Sequence, residues 1–360
     1  MTTNPQSTQS PEGRYRARHS TRLHLAAGAV AVALLVSACT SESAGETAPT
    51  SSSTTAPAVT TTTAPTTSDL LPGGSTTAAT LTEAPAPDDL PPIALVVNPE
   101  GVGVYDLATG DLIGLVEPPA LDIGQSPDEA VEFVSGDLAP DQTLYVARRD
   151  PDGAQTVESH ALDGTVTEIG PGSAPAVSPT GDRVAMAGPE GELVVVDPVT
   201  SERGSLVPVA ATIVESVAWE PGGERIAVGW FDGIQRGVAL VEVSGTTPGA
   251  VEDLVRGREA SWMDPEWTAP GRLAVVEQSL VPDAGSATGW TVNAPAQVLA
   301  VDVSTGRTSP MFEIPEGVAR IDAGPDGRVL GVLTLSGELW WAADGEGGML
   351  VDDGWSFFRW

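Results

Sequence analysis

Lysine is missing from all 360 residues, and the chain holds one cysteine, Cys39, and three histidines, His19, His24 and His160. Without an ammonium side chain there is no phosphate-binding P-loop, no Schiff base and no Ser-Lys dyad, because arginine cannot supply a titrating amine. One cysteine cannot form an internal disulfide framework, and so few His and Cys cannot build a zinc cluster. Positive charge is scarce too: 17 Arg stand against 49 Asp plus Glu, a formal net charge of −32. Such a surface repels a polyanion, which excludes nucleic acid as a partner. No residue pattern implies a cofactor, a metal ligand set or a catalytic residue, so what is present speaks of location and architecture.

Arg14, Arg16, Arg18 and Arg22 precede a 12-residue apolar run, Leu25 to Val36, too short for a stable membrane span and read as an export signal. The run ends in Val36-Ser37-Ala38-Cys39, which resembles the bacterial lipobox. The resemblance implies that residues 1–38 are a signal peptide cut between Ala38 and Cys39. It also implies a diacylglyceryl group on the Cys39 thiol and a protein held on the outer leaflet of the cell membrane. Two or three acyl chains, at about 0.8 kcal/mol per buried CH₂, make that hold permanent. The alternative is an ordinary secretory signal in which the cysteine falls by chance. Cleavage leaves 13 Arg against 48 acids, a net charge of −35, so the body is expected to stand off an anionic lipid surface. Solvation alone accounts for the acidity, and charge by itself names no partner.

After Cys39, residues 40–92 contain 22 Ser or Thr interleaved with Pro and Ala. Too little apolar area is available to offset ordering entropy, so residues 39–92 are expected to be a lipidated cysteine followed by a disordered spacer reaching about 40 Å.

From Ile93 to Trp360 short apolar runs are bounded by Gly and Pro with no sustained 3.6 period, an all-β pattern. A Pro-containing turn recurs five times: Ala139-Pro140-Asp141, Ser178-Pro179-Thr180-Gly181, Glu220-Pro221-Gly222-Gly223, Ala269-Pro270-Gly271 and Gly324-Pro325-Asp326-Gly327. Proline presets φ in such turns and glycine supplies φ > 0. An apolar strand follows each: Leu144 to Ala147, Val184 to Ala187, Ile226 to Trp230, Leu273 to Val276 and Val329 to Leu333. These are unbroken runs, as expected of strands covered on both faces by neighbouring blades. Ala185, Ala187, Ala227, Gly229, Ala274 and Gly331 are small enough for close backbone approach near a crowded axis. Asp-x-x-Thr recurs after later strands, at Asp106, Asp197 and Asp302.

The turn prolines are 39, 42, 49 and 55 residues apart, near the roughly 40–50 residues of a four-stranded propeller blade. The segment from Ile93 to Glu117 supplies a sixth unit without its first strand. Phe357-Phe358-Arg359-Trp360 ends the chain as Val217-Ala218-Trp219 stands before its own turn. The expected fold for residues 93–360 is therefore a single β-propeller of six four-stranded blades, closed by the C-terminal strand. The turns and the Asp-x-x-Thr-Gly segments resemble TolB-type and WD40-like propeller repeats. The order of lipobox, spacer and propeller is similar to actinobacterial lipoproteins of the LpqB family, whose members resemble accessory proteins of sensor kinases. This chain has no room between Thr40 and Pro92 for the folded domain those proteins carry ahead of the propeller.

Chemistry is thinly represented. His160 alternates like a strand residue in Thr156-Val157-Glu158-Ser159-His160, no Gly-x-Ser-x-Gly elbow exists, and a Ser-His-acid triad has no supporting motif. Asp150-Pro151-Asp152-Gly153 lacks the calcium-loop spacing and reads as a hairpin turn. All nine Trp follow residue 218. Trp290, on an expected Gly/Ser/Pro-rich loop within Glu277 to Gln297, is the leading binding candidate, with Trp262 and Trp267 beside it; the alternative is that these rings fill gaps between blades. The expected function is a monomeric, lipid-anchored, non-enzymatic module that binds an envelope protein or a glycan. The rival is a metal-dependent lyase or lactonase with carboxylates converging on the ring axis.

Overall fold

The computed structural model describes residues 79–80, 82–83, 93–98, 101–107, 112–118, 130–208, 213–257, 260–282, 290–324, 326–352 and 357–359. They form six antiparallel four-stranded blades around an axis, a six-bladed β-propeller. From the axis outward, blade 1 is Phe357–Arg359, Ile93–Asn98, Gly101–Asp106 and Leu112–Val116. Blade 2 is Glu132–Leu138, Leu144–Arg149, Gln155–His160 and Val166–Pro171. Blade 3 is Ser173–Val177, Val184–Ala187, Leu193–Val196 and Arg203–Leu206. Blade 4 is Ile213–Trp219, Arg225–Phe231, Arg236–Ser244 and Thr247–Gly257. Blade 5 is Ala260–Ala269, Arg272–Pro282, Trp290–Asp302 and Arg307–Ile314; blade 6 is Val318–Ala323, Leu330–Thr334, Glu338–Ala343 and Glu346–Asp352.

The apolar runs acquire their meaning from the seams. In blade 3, Val184 and Met186 pack against blade 2, whereas Ala185 and Ala187 pack against blade 4. Successive side chains leave opposite faces of a strand, so a run without alternation is what two apolar neighbours require. Six buried clusters result, one in each seam. Each fully buried Val, Leu or Ile contributes about 1.5–3 kcal/mol, and the ring is held by these seams.

Closure follows the expected route: Phe357, Phe358 and Arg359 pair antiparallel with Val97, Val96 and Leu95, and both phenylalanines are buried. The innermost strand of blade 1 is thus the last segment of the chain, and closure removes an exposed inner edge.

The turns form as their residues dictate. Gly181, Gly223 and Gly327 donate to Ser178, Glu220 and Gly324 carbonyls at 2.8 Å with φ of 75°, 72° and 69°. Blade 2 has no glycine there, and Gln142 takes the same conformation at φ 69°. The Asp-x-x-Thr segments at Asp197 and Asp302 are capped turns. Asp197 Oδ1 accepts the Val199 and Thr200 N–H at 2.8 and 3.0 Å, and Asp302 Oδ1 accepts the Thr305 N–H at 3.0 Å and its hydroxyl at 2.9 Å.

One expectation needs correction, and one feature was not expected. Within the segment read as a spacer, Ala79–Thr80 pairs parallel with Phe312 and Glu313 at the outer edge of blade 5, and Thr82–Glu83 pairs parallel with Glu346 and Gly347 at the outer edge of blade 6. Those four residues are strand because two adjacent edges offer unpaired backbone groups. The insertion of blade 5 is also strand rather than loop on both sides of residues 283–289. Its ladder runs out to Leu280–Val292, Val281–Thr291 and Pro282–Trp290, past the last pairs made by the inner and outer strands, Ser279 with Ala260 and Ile314 with Ala296. Blade 5 therefore projects a two-stranded ribbon.

Candidate functional site

Each blade turns the edge of its innermost strand to the axis, and ladder register selects one residue per blade: Asp137, Ala176, Ala218, Glu266, Asp322 and Arg359. The first five sit opposite Tyr145, Ala185, Ala227, Ala274 and Gly331 on the second strands, and Arg359 sits opposite Leu95. Four of the small residues noted in the sequence thus stand one strand outside the axis, directly across from its central layer.

Arg359 gathers the acids of that layer. Its Nε lies 3.2 Å from Asp137 Oδ1, and its Nη1 lies 2.8 Å from Glu266 Oε1 and 3.1 Å from Asp322 Oδ1. One turn of the strand pleat away, Asp264 of blade 5 pairs with Arg320 of blade 6 at 3.4 Å, and the Arg320 guanidinium lies 4.1 Å from the Phe357 ring centroid. The carboxylates have backbone donors as well. Asp137 accepts the Val177 N–H at 2.7 Å and its neighbour Leu138 N–H at 2.9 Å, and Asp264 accepts the Ile321 N–H. Four buried carboxylates and two guanidiniums bind blades 1, 2, 5 and 6 together, with a further link to blade 3 through Val177.

Burial pushes the Glu266 carboxyl well above the ordinary glutamate range; Arg359 pulls it partly back, and the neighbouring Asp322 and Asp264 push it further up. Burial also raises Asp264, against the pull of Arg320, the Ile321 N–H and Arg359. For Arg359 burial opposes the charge, but Asp322, Glu266, Asp137 and Asp264 more than offset it and hold the guanidinium positive. A general acid or base must reach a substrate proton, and a metal needs free carboxylate oxygens at one point. Here the convergence point is a guanidinium. Among the described residues no group of three or more His, Cys, Asp or Glu is arranged to hold a metal ion.

The sequence candidates fall elsewhere. Ala38 and Cys39 lie outside the described residues. Trp267 is 5% exposed and donates its Nε1–H to the Ala218 carbonyl of blade 4 at 3.2 Å, so it fills a seam. Trp262 pairs with Glu277 on the innermost strand of blade 5, and Trp290 opens the third strand at the outermost pair of the ribbon, opposite Pro282. The structure does not gather the three tryptophans into one residue layer. His160 is a strand residue opposite Leu144 and Val166, 3.4 Å from Glu158 and edge-on to Phe133 at 6.0 Å. Asp150 to Gly153 is the hairpin turn expected, with Gly153 N–H donating to the Asp150 carbonyl at 2.8 Å.

Sequence reasoning missed the axial acids, although a signal existed. Asp137 and Asp322 each stand three residues before a turn proline, Pro140 and Pro325, as Ala176 and Ala218 stand before Pro179 and Pro221, whereas Glu266 stands four before Pro270 because the strand of blade 5 bulges there.

No known family profile and no curated protein matches the sequence. Solved structures do resemble it. The crystal structure of a nidogen/laminin complex contains a chain similar at a TM-score of 0.54 and 8% identity, covering 74% of this chain and 97% of that one. TolB from Acinetobacter baumannii is similar at a TM-score of 0.52 and 14% identity, covering 74% of this chain and 66% of that one. At such identities the likeness concerns the fold, a six-bladed β-propeller.

Proposed function

We propose that this chain is a lipid-anchored, non-enzymatic β-propeller on the extracytoplasmic face of a bacterial membrane, where it binds another envelope protein or a glycan. The observation that carries the non-enzymatic part is the axis. The rival enzyme reading calls for carboxylates converging on one point, and Asp137, Glu266 and Asp322 do converge, but onto Arg359. Ion-paired and hydrogen-bonded acids of this kind join blades. Structural likeness to a chain from a nidogen/laminin complex and to TolB supports a binding ring, as does the ribbon that blade 5 projects beyond its neighbours. The anchor rests on Arg14 to Arg22, the apolar run and Cys39.

Photo-crosslinking in living cells from a probe residue at position 290 tests the binding reading. Capture of one discrete envelope protein or glycan is the expected result; adducts no different from those of a probe at the blade 3 turn residue Thr180 would overturn it. Amine-reactive reagents are unsuitable, since the chain has no lysine. The anchor is tested separately: Cys39→Ala should move the protein from the membrane fraction to the soluble one.

A further inference from the structure

The second strands of blades 3, 4 and 5 carry arginine at one register. Arg183, Arg225 and Arg272 directly precede Val184, Ile226 and Leu273, which pair with Val177, Trp219 and Trp267 near the turn ends of the innermost strands. In the first two cases the next blade supplies an indole beneath the guanidinium. Arg183 lies 4.7 Å from the Trp219 ring centroid and Arg225 lies 5.4 Å from that of Trp267. The two rings are equivalent, each donating its Nε1–H to the preceding blade, at Ala176 and Ala218. At the same register blade 6 has Ala323, which pairs with Leu330 as Trp219 pairs with Ile226. Arg272 is exposed, and among the described residues its guanidinium has no ion pair and no ring beneath it.

The seam that lacks the ring is open. A cleft of about 380 Å³ between blades 5 and 6 is lined by Arg272, Met311 and Phe312 on one side and by Arg328, Ala342 and Asp344 on the other. A second cleft of about 530 Å³ shares Arg272 and adds Arg307 and Asp302. Asp302 is occupied by the Ser304 and Thr305 donors of its own turn. The corresponding cleft beside Arg183 is bordered instead by Asp182, Asp197 and Glu202. In a protein this acidic, the cleft between the two blades combines Met311 and Phe312, two arginines beside the single acid Asp344, and a missing indole.

We propose that the blade 5–blade 6 cleft is a docking site for an aromatic side chain, flanked by a carboxylate, on a partner polypeptide. Arg272 is the plate on which the ring stacks. The chain's own repeat identifies this occupant: twice, in adjacent seams, the same arginine is covered by an indole. A planar guanidinium favours an aromatic face, Met311 adds a polarizable wall, and Arg307, on the neighbouring cleft that shares Arg272, suits the accompanying carboxylate. The inference deepens the binding-module reading and rests on it.

The test uses the full mature chain and two probes, N-acetyl-tryptophan and N-acetyl-leucine, each an apolar side chain beside a carboxylate. Titration is followed through the arginine Nε–Hε NMR signals. N-acetyl-tryptophan is expected to bind in the millimolar range usual for fragments and to move the Arg272 signal, with N-acetyl-leucine roughly five-fold weaker. Arg272→Ala should weaken N-acetyl-tryptophan to the level of N-acetyl-leucine. Ala323→Trp should supply the missing ring within the chain, shift the Arg272 signal upfield and abolish probe binding. Equal affinity of both probes, or N-acetyl-tryptophan binding that survives Arg272→Ala, overturns the proposal even if Ala323→Trp does not fold. Absence of probe binding removes the cleft alone; crosslinking at position 290 decides the wider reading separately.

Discussion

Arg359 Nη1 lies 2.8 Å from Glu266 Oε1, so the penultimate residue of the chain reaches past blade 6 to blade 5. The strand that closes the ring therefore also places a cation among the acids of its axis. Phe357 and Phe358 supply the apolar part of that closure and Arg359 the charged part.

Removing the guanidinium strands the acids around it. Arg359→Met is expected to cost about 3–5 kcal/mol, because breaking a buried pair leaves uncompensated charge, and to lower the calorimetric Tm accordingly. Deleting Gly354 to Trp360 should lower it further, since the innermost strand of blade 1 goes too. An unchanged Tm after that deletion would mean that the ring does not depend on the closing strand.

Glu266 sets a pH dependence whose sign follows from its raised titration. A carboxyl that titrates higher folded than unfolded holds its proton more tightly in the native state. Its contribution to stability is full below the unfolded value of 4.5 and is lost as pH rises through the folded value. Glu266→Gln keeps an amide in place of the acid and does not titrate. Its Tm should fall less than that of the parent as pH rises above 4.5, and parallel Tm curves would refute the assignment.

Gln142 occupies the left-handed region that glycine takes in three sister turns. A residue with a Cβ pays about 1–2 kcal/mol there, part of which the entropy of an added glycine returns. Gln142→Gly is expected to raise stability by up to about 1 kcal/mol, or roughly 2–4 °C in a domain of this size. A lower Tm would show that the glutamine side chain matters more than the turn.

The segment Ala79–Glu83 crosses from the edge of blade 5 to the edge of blade 6. Proline at positions 79, 80, 82 and 83 removes the backbone donors of all four residues paired with those edges. Amide exchange in Arg307–Ile314 and Glu346–Asp352 should accelerate by roughly ten-fold, the worth of about one hydrogen bond. Arg203–Leu206, at the outer edge of blade 3, should not change and serves as the reference. Equal exchange in both regions would mean that the segment does not hold the edges.

Much of this architecture was legible because it is local. The turn at Ser178-Pro179-Thr180-Gly181 needs only φ preferences, Asp302 caps its own turn three residues on, and the run Val184 to Ala187 announces two covered faces. The ribbon of blade 5 was misread because Pro282 and Gly289 look like loop punctuation. A proline is tolerated at a strand end where its missing N–H costs nothing, and the ladder stops at Pro282 and Trp290. The gap beside Arg272 was invisible for another reason: Ala323 is an unremarkable residue until Trp219 and Trp267 are seen at the same register.

The sequence alone determined the all-β class, the six repeats and the closing strand, since each rests on backbone preference or on hydrophobic period within one blade. Tertiary structure alone decided the axis and the seams. Asp137 and Arg359 are 222 residues apart, and nothing in either neighbourhood requires the other. They meet because ring closure brings six strand edges to one line, where low polarizability makes every unpaired charge costly. Which acids find a guanidinium, and which arginine is left without a ring, are consequences of that geometry.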